Sequence, residues 1–488
     1  MRRAGPPQAS NRAPNGGSEG AWGEHASGAL VAANRLAAEA GAELLRRGGN
    51  AADAALAAAA ALCVVDPANR GIGGYGGFAV VHTAAGAVSQ IGFNAAVPRC
   101  AKDGRIAPGG AGTRVTPPAV AAGLCALGRA FGRLGVASAL APAIELAREG
   151  FRVGSGLTTA LARALTTHRG LNDAFRRMFA PKGAPLREGD RLVQPALART
   201  LTAIADGQSP GLADDRITHS LLCTVNAAGG ALVADDFAAP HATVCDAVTA
   251  RYRDCDVFVP DPDACGSCIV LDALRSLDGA DLGDNRRDRY VDALGAALRD
   301  AWRRRDAAYS PLSRATGQTT HLCVADGDGM LVSLTFTHGP VWFGSGLLDE
   351  ETGILLNCGM HILARRNDDG RVVAQPHLAP TIVRHRDARY ALGSPGGRRI
   401  PAIVLQAIVD LVDYDVPIER LLDALRLSAN ADGALDAEAE LAARMPERAI
   451  RIVEPSDYFG PAGAVQWTAR GTRSARDPRF ADACAIAA

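Results

Sequence analysis

The chain is predicted to fold as an α+β protein in which antiparallel sheets lie under helical layers. Two observations predict this. Helical stretches alternate with strand hairpins, not with single strands, so neighbouring strands run antiparallel and need helices to cover them. The clearest hairpin, "HLCVADGDGMLVSLTFT", lies deep inside the 488-residue chain, where a core sheet needs it.

The elements follow in order. Residues 29–47 carry helical spacing and end in Arg46-Arg47-Gly48-Gly49, a stop signal. Asn50 is placed to cap a second helix over 51–65. A glycine loop leads to a hairpin over 78–82 and 87–93. Helices are expected at 119–134, 138–149, 155–166 and 194–206, then a β-rich stretch over 242–259 and helices at 266–277 and 286–308. The central hairpin pairs 322–325 with 330–337 across Asp326-Gly327-Asp328-Gly329. Strands are expected at 352–357, 380–385 and 389–393, helices at about 400–412 and 417–427, and short strands and turns over 449–475. Residues 1–24 are rich in Pro, Gly, Asn and Ser and read as a disordered tail.

Composition excludes several functions. Lys+Arg and Asp+Glu both number 52, so no global charge favours nucleic acid or an anionic membrane. The densest basic run, Arg303-Arg304-Arg305, is followed by Asp306 and reads as a solvated helix face. The apolar run 51–65 is shorter than the roughly 20 residues a bilayer span needs. Arg2-Arg3 is followed by no apolar segment, so the expected location is cytoplasmic. Eleven scattered cysteines suit reduced, buried thiols. Cys265 and Cys268 have C-x-x-C spacing, but no second pair lies near them; neither metal nor cofactor is expected. "GIGGYG", residues 71–76, matches G-x-G-x-x-G, yet a helix precedes it and a strand follows. That is the reverse of a dinucleotide site, and a tight loop with positive φ is expected instead.

Two adjacent threonines, Thr319 and Thr320, open the central strand straight after a loop-like Thr-Gly-Gln. Six stretches give this context: "RRGGNAADAALAAAAALCVVDPANRGIGGYGGF", "QTTHLCVADGDGMLVSLTFT", "FGSGLLDEETGILLN", "APTIV", "LGSPGGRRI" and "ARDPRF". In this order, over about 28–480, they resemble the γ-glutamyltranspeptidase family. The resemblance implies a four-layer αββα N-terminal-nucleophile hydrolase sandwich, with two antiparallel sheets between helical layers. It also implies self-cleavage between Gln318 and Thr319. Residues 25–318 would form a large subunit and 319–488 a small one, held together as one globular unit.

The chemistry fits. A threonine hydroxyl needs a base, and an N-terminal threonine carries one in its α-amine, whose pKa is roughly 7.7–8. In the uncut chain that nitrogen is an amide and cannot serve. The resemblance gives Thr319 as nucleophile, Thr337 as the hydroxyl that helps activate it, and the backbone N–H groups of Gly396 and Gly397 as the oxyanion site. Each such donor is worth on the order of 3 kcal/mol.

The sequence departs from the family at the positions that hold glutamate. An arginine that clamps the α-carboxylate corresponds to Asn94, a Ser-Ser pair to Pro376 and His377, an aspartate to Ile362 and an asparagine to Gly339. Asparagine cannot replace a bidentate arginine–carboxylate pair. The resemblance therefore implies a small-molecule, non-glutamyl carbonyl substrate. The bond would be an amide or a C–C bond, the latter as in the branch that makes alkylproline antibiotic precursors. His338, His361 and His377 are candidate proton donors for such a step. A true γ-glutamyl transferase or glutathione hydrolase, and a non-catalytic scaffold, are the alternatives.

Overall fold

The computed structural model describes residues 28–102, 109–238, 242–283, 288–311, 318–429 and 434–488. The expected tail over 1–24 lies outside them, as do residues 312–317 before the nucleophile strand.

The central hairpin sets the architecture. Gln318–Asp326 pairs with Leu331–Gly339 antiparallel, from Ala325 opposite Leu331 to Thr320 opposite Phe336. Every residue from Thr319 to Asp326 and across Leu331–Gly339 is buried, so both faces of this ribbon are covered. Side chains alternate between the two faces. Leu322, Val324, Val332, Leu334 and Phe336 join the core under one helical layer. Cys323, Ala325 and Leu331 join a separate cluster with Ile382, Ala391 and Val465 of the second sheet.

The first sheet has seven strands, in the order Cys484–Ala487, Gly28–Ala32, Gln318–Asp326, Leu331–Gly339, Gly76–His82, Val88–Gly92, Thr243–Asp246. The second has six, Gly471–Arg476, Gly463–Thr468, Ala388–Gly393, Thr381–His385, Cys255–Val259, Val248–Tyr252. Neighbouring strands in both are antiparallel. Helices Arg35–Arg46, Ala51–Val65 and Val120–Phe131 cover the outer face of the first sheet, and Gly135–Glu149 packs on Ala51–Val65 from outside. Ser267–Leu277 and Ile400–Asp413 cover that of the second, and Asp288–Ala308 packs on Ser267–Leu277. The result is the expected αββα sandwich.

Ala51–Val65 is buried all round, which its alanine content permits. It packs close to the preceding helix: a Cβ on Gly41 would lie 2.9 Å from the Ala54 carbonyl oxygen. Asn50 caps it as expected, accepting from the N–H groups of Ala52 and Asp53. Asp53 is itself fully buried and accepts from the backbone N–H groups of Asn50, Arg133 and Leu134. That carboxylate joins two helix starts.

Several expectations need correction. The helix expected over 29–47 begins only at Arg35, where Asn34 accepts from Leu36 N–H. Gly28–Ala32 is instead a strand between the central hairpin and the C-terminal strand. Its five apolar residues carry no period, and tertiary pairing decides. Residues 352–357 form a turn with one bridge, Leu348 to Leu355, because Asp349 gathers the hydroxyls of Ser220, Thr224 and Thr352 there. The helix expected over 417–427 stops at Leu421, and Leu427–Ala429 pairs as a strand. Helices Asp173–Phe179 and Asp215–Ala227 were not anticipated.

Arg305 is not on a solvated face. It is 5% exposed, donates to the Gln375 carbonyl and lies over Trp302. In the glycine loop, positive φ is needed at Gly76 (φ 155°). Gly73 is there for closeness, since its Cβ would lie 2.4 Å from the Leu355 carbonyl oxygen. Among the described residues no helix is long and apolar enough to cross a membrane.

Asp53→Ala should lower unfolding free energy by about 3 kcal/mol, because three buried N–H groups lose their acceptor. Urea denaturation measures this; Asp387→Ala, at an exposed position, should change it by less than about 0.5 kcal/mol.

Candidate active site

Thr319 is the second residue of its strand, and the pairing register shifts between Gln318 and Thr320. Such an irregularity re-aims a side chain. Thr319 is 8% exposed and lines a cleft of about 740 Å³. The other walls come from the end of the 51–65 helix, the turn at Gly396, the segment around Tyr458 and Gly460, and the C-terminal stretch from Arg479.

Thr337 stands on the neighbouring strand, with Gly76 opposite it on its other side. It is 2% exposed, and its Oγ1 accepts from the Gly339 N–H at 2.9 Å. Gly339 has φ 111°, and a Cβ there would lie 2.8 Å from Cys358 Sγ. Gly396 and Gly397 have φ 128° and 61° and lead into helix Ile400–Asp413. This turn is pinned by the Ser394 hydroxyl, which lies 2.7 Å from the Pro395 carbonyl oxygen and 3.2 Å from that of Gly460. Thr319 and Gly396 line the same cleft.

Thr337 and Gly397 stand behind residues that line it, and the remaining candidates also lie outside its lining. Asn94 has its Cα 2.8 Å from the position a Gly76 Cβ would take, so it stands one strand beyond Thr337. Its amide nitrogen lies 3.4 Å from the Ala264 carbonyl oxygen, and its Oδ1 is buried without a protein partner among the described residues. Ile362 ends a short 3₁₀ turn, and its carbonyl accepts from Gln375 N–H. His377 packs edge-on against Trp302 at 5.3 Å. Burial holds the His377 ring well below its ordinary pKa, with Arg305, Arg398 and Arg399 adding to the effect. His361 is lowered by burial and by Arg114. His338 is fully buried against Gly71, and burial lowers it to about 4.

Arg70 was not singled out from the sequence. It is 3% exposed, pairs with Asp66 and donates to the Thr320 hydroxyl beside the candidate nucleophile. Burial pulls its pKa to about 9. The available signal was its i,i+4 spacing from Asp66 at the end of a helix. Cys265 and Cys268 are packed thiols that burial pushes up to about 12 and about 11. Among the described residues no cluster of His, Cys, Asp or Glu could hold a metal.

Two antiparallel sheets stacked between helical layers make the fold of the N-terminal-nucleophile hydrolases. The chain belongs to the γ-glutamyltranspeptidase family: the model of that family, gamma-glutamyltranspeptidase, matches residues 37–316 and 306–487. It is 28% identical over 468 residues to a glutathione hydrolase proenzyme from Pseudomonas sp. (strain A14), covering 82% of this chain and 81% of that one. It is also 28% identical over 513 residues to an acylase ACY 1 proenzyme from Pseudomonas sp. (strain SE83), covering 91% and 90%. The crystal structure of a cephalosporin acylase from Bacillus halodurans shares the fold, with a TM-score of 0.84, 23% identity, and 99% and 98% coverage.

Stability should fall with acid. His321, held between the sheets by Thr335 and Cys323, is lowered by burial to about 3, and His338 to about 4. The unfolded chain takes up these protons first, so stability is complete well above pH 6.5 and is lost as pH falls through 6.5 toward 4 for His338 and 3 for His321. Between pH 7 and 5 the two rings should cost roughly 4 kcal/mol, at about 1.4 kcal/mol per pH unit each. Urea midpoints that stay level over this range would contradict the assignment.

Proposed function

We propose that this protein is a self-processing acyl hydrolase or acyltransferase that uses Thr319 on a non-glutamyl amide. What supports the reading is the placing of Thr319 and the Gly396 turn on one cleft, together with the family resemblance read from the sequence. By that resemblance the reaction centre is retained and the recognition site altered. Thr319, Thr337 and the Gly396–Gly397 turn remain, while Asn94, Gly339, Ile362 and His377 occupy the positions at which family members hold glutamate. Supporting it, the acylase proenzyme above is as similar to this chain as the glutathione hydrolase proenzyme, and over more of its length.

In processing, Thr319 Oγ1 attacks the Gln318 carbonyl carbon, and the peptide becomes an ester. Water then cleaves the ester and leaves Thr319 with a free α-amine. In turnover that amine takes the Oγ1 proton as Oγ1 adds to the substrate carbonyl. The oxyanion faces the N–H groups of Gly396 and Gly397, where no side chain intervenes. Collapse expels the leaving amine, which takes the proton back from the α-ammonium. Water or another amine then releases the acyl group from Thr319.

An amide suits this cleft better than a C–C bond. A leaving nitrogen accepts the α-ammonium proton directly, whereas a leaving carbanion needs strong stabilisation. His338, His361 and His377, the candidate donors for that, are held neutral by burial.

The test compares glutaryl-p-nitroanilide, which lacks the α-amine, with γ-glutamyl-p-nitroanilide. Turnover of the former should exceed that of the latter by about tenfold or more in kcat/KM, because Ile362 offers the α-ammonium no acceptor. Thr319→Ala should abolish turnover and Thr319→Ser should retain it. Brisk γ-glutamyl turnover would return the chain to glutathione-type chemistry, and activity in Thr319→Ala would remove the nucleophile assignment.

A further inference from the structure

Four arginines line the cleft with Thr319: Arg70, Arg163, Arg399 and Arg479. Their partners separate them into two kinds. Arg70 is paired with Asp66, and Arg479 with Glu438 and Asp477, besides donating to two backbone carbonyls. These two are neutralised by the protein. Arg163 and Arg399 are not: among the described residues neither has an acidic partner within 4 Å.

Both are instead held by aromatic faces. The Arg163 guanidinium, on helix Ser155–Thr167, lies 4.9 Å from the Trp342 ring centre. That of Arg399 lies 4.5 Å from Tyr458, and its Nε donates to the Tyr458 carbonyl at 2.8 Å. Stacking fixes the plane of a guanidinium and leaves its edge free for a planar, two-oxygen anion. Among the described residues the nearby acids do not compete. Asp436, which acts on Arg399 from a distance, is bound by Arg451 and the Tyr458 hydroxyl. Asp482, the other acid in the lining besides Asp66, is exposed beside Gly156. Burial lowers the pKa of Arg399, a cost that an arriving anion would remove.

From this we infer that Arg399, assisted by Arg163 at the exposed rim, binds a carboxylate carried by the substrate. The inference rests on the functional reading above and names its substrate class: amides that bear a carboxylate. Recognition of charge has left the hairpin position of Asn94. It has moved to two aromatic-backed arginines, one just after the oxyanion turn and one on a helix of the large-fragment portion. Arg399, half-buried, supplies bidentate binding. Arg163, exposed, supplies attraction that salt can screen.

Isothermal titration with glutarate and with pentane-1,5-diol, a neutral compound of the same length, tests this without turnover. Wild-type protein should bind glutarate and show no heat with the diol. Arg399→Gln should weaken glutarate binding roughly tenfold or more, and Arg163→Gln about threefold, with the latter difference vanishing in about 0.5 M salt. Thermal unfolding checks that each variant is folded; Arg163 is exposed, so its variant decides the matter if Arg399→Gln is unstable. Glutarate binding no tighter than the diol, or unchanged by Arg163→Gln, would overturn the inference. A chain that transfers no acyl group yet still prefers glutarate would sink the functional reading and keep the clamp. An active chain without that preference would sink the clamp alone.

Discussion

The position of the candidate nucleophile depends on one carboxylate at the opposite end of its strand. Asp326, in the hairpin turn, accepts from the Ala51 N–H and from the Met330 N–H, both at 2.9 Å. It ties the start of helix Ala51–Val65 to the end of strand Gln318–Asp326. From that tie the two elements run side by side for matching lengths. Fifteen helical residues rise about 22 Å, and seven strand steps span about 23 Å. They arrive level, so Arg70, paired with Asp66, donates to the Thr320 hydroxyl where Thr319 opens to the cleft. The alanines of the helix matter for the same reason: with bulkier residues it could not lie so close to the strand it measures.

Around that fixed point the structure keeps shape and charge separate. Shape comes from backbone: the register shift at Thr319, the left-handed Gly396–Gly397 turn, and Gly339, which leaves room for Cys358. Charge comes from side chains borne on other elements. Two of the four arginines in the cleft are answered within the protein and two are turned to whatever enters. A pocket can thus exchange its carboxylate contacts without moving the atoms that do the chemistry, which is how one reaction centre serves different acyl groups.

The parts legible in the sequence were those set by local chemistry. The Asp-Gly turn gave the central hairpin, Asn50 marked a helix start, and the order of helices and hairpins gave the two-sheet sandwich. What could not be read were contacts made at long separation. Gly28–Ala32 became a strand only because Val31 and Leu30 meet Cys323 and Val324 almost three hundred residues on. Arg305 looked like surface charge until Trp302 and the Gln375 carbonyl enclosed it. Arg399 could be seen in "PGGRRI", but not that Tyr458 would lie beneath it.

The central claim is that a break in the backbone gives residue 319 a free nitrogen that activates its own hydroxyl. Intact-mass measurement on fully active protein, with sequencing of any new N-terminus, tests it most directly. The account predicts two fragments that part between Gln318 and Thr319, the second beginning with threonine. Full activity in a single unbroken chain would contradict it.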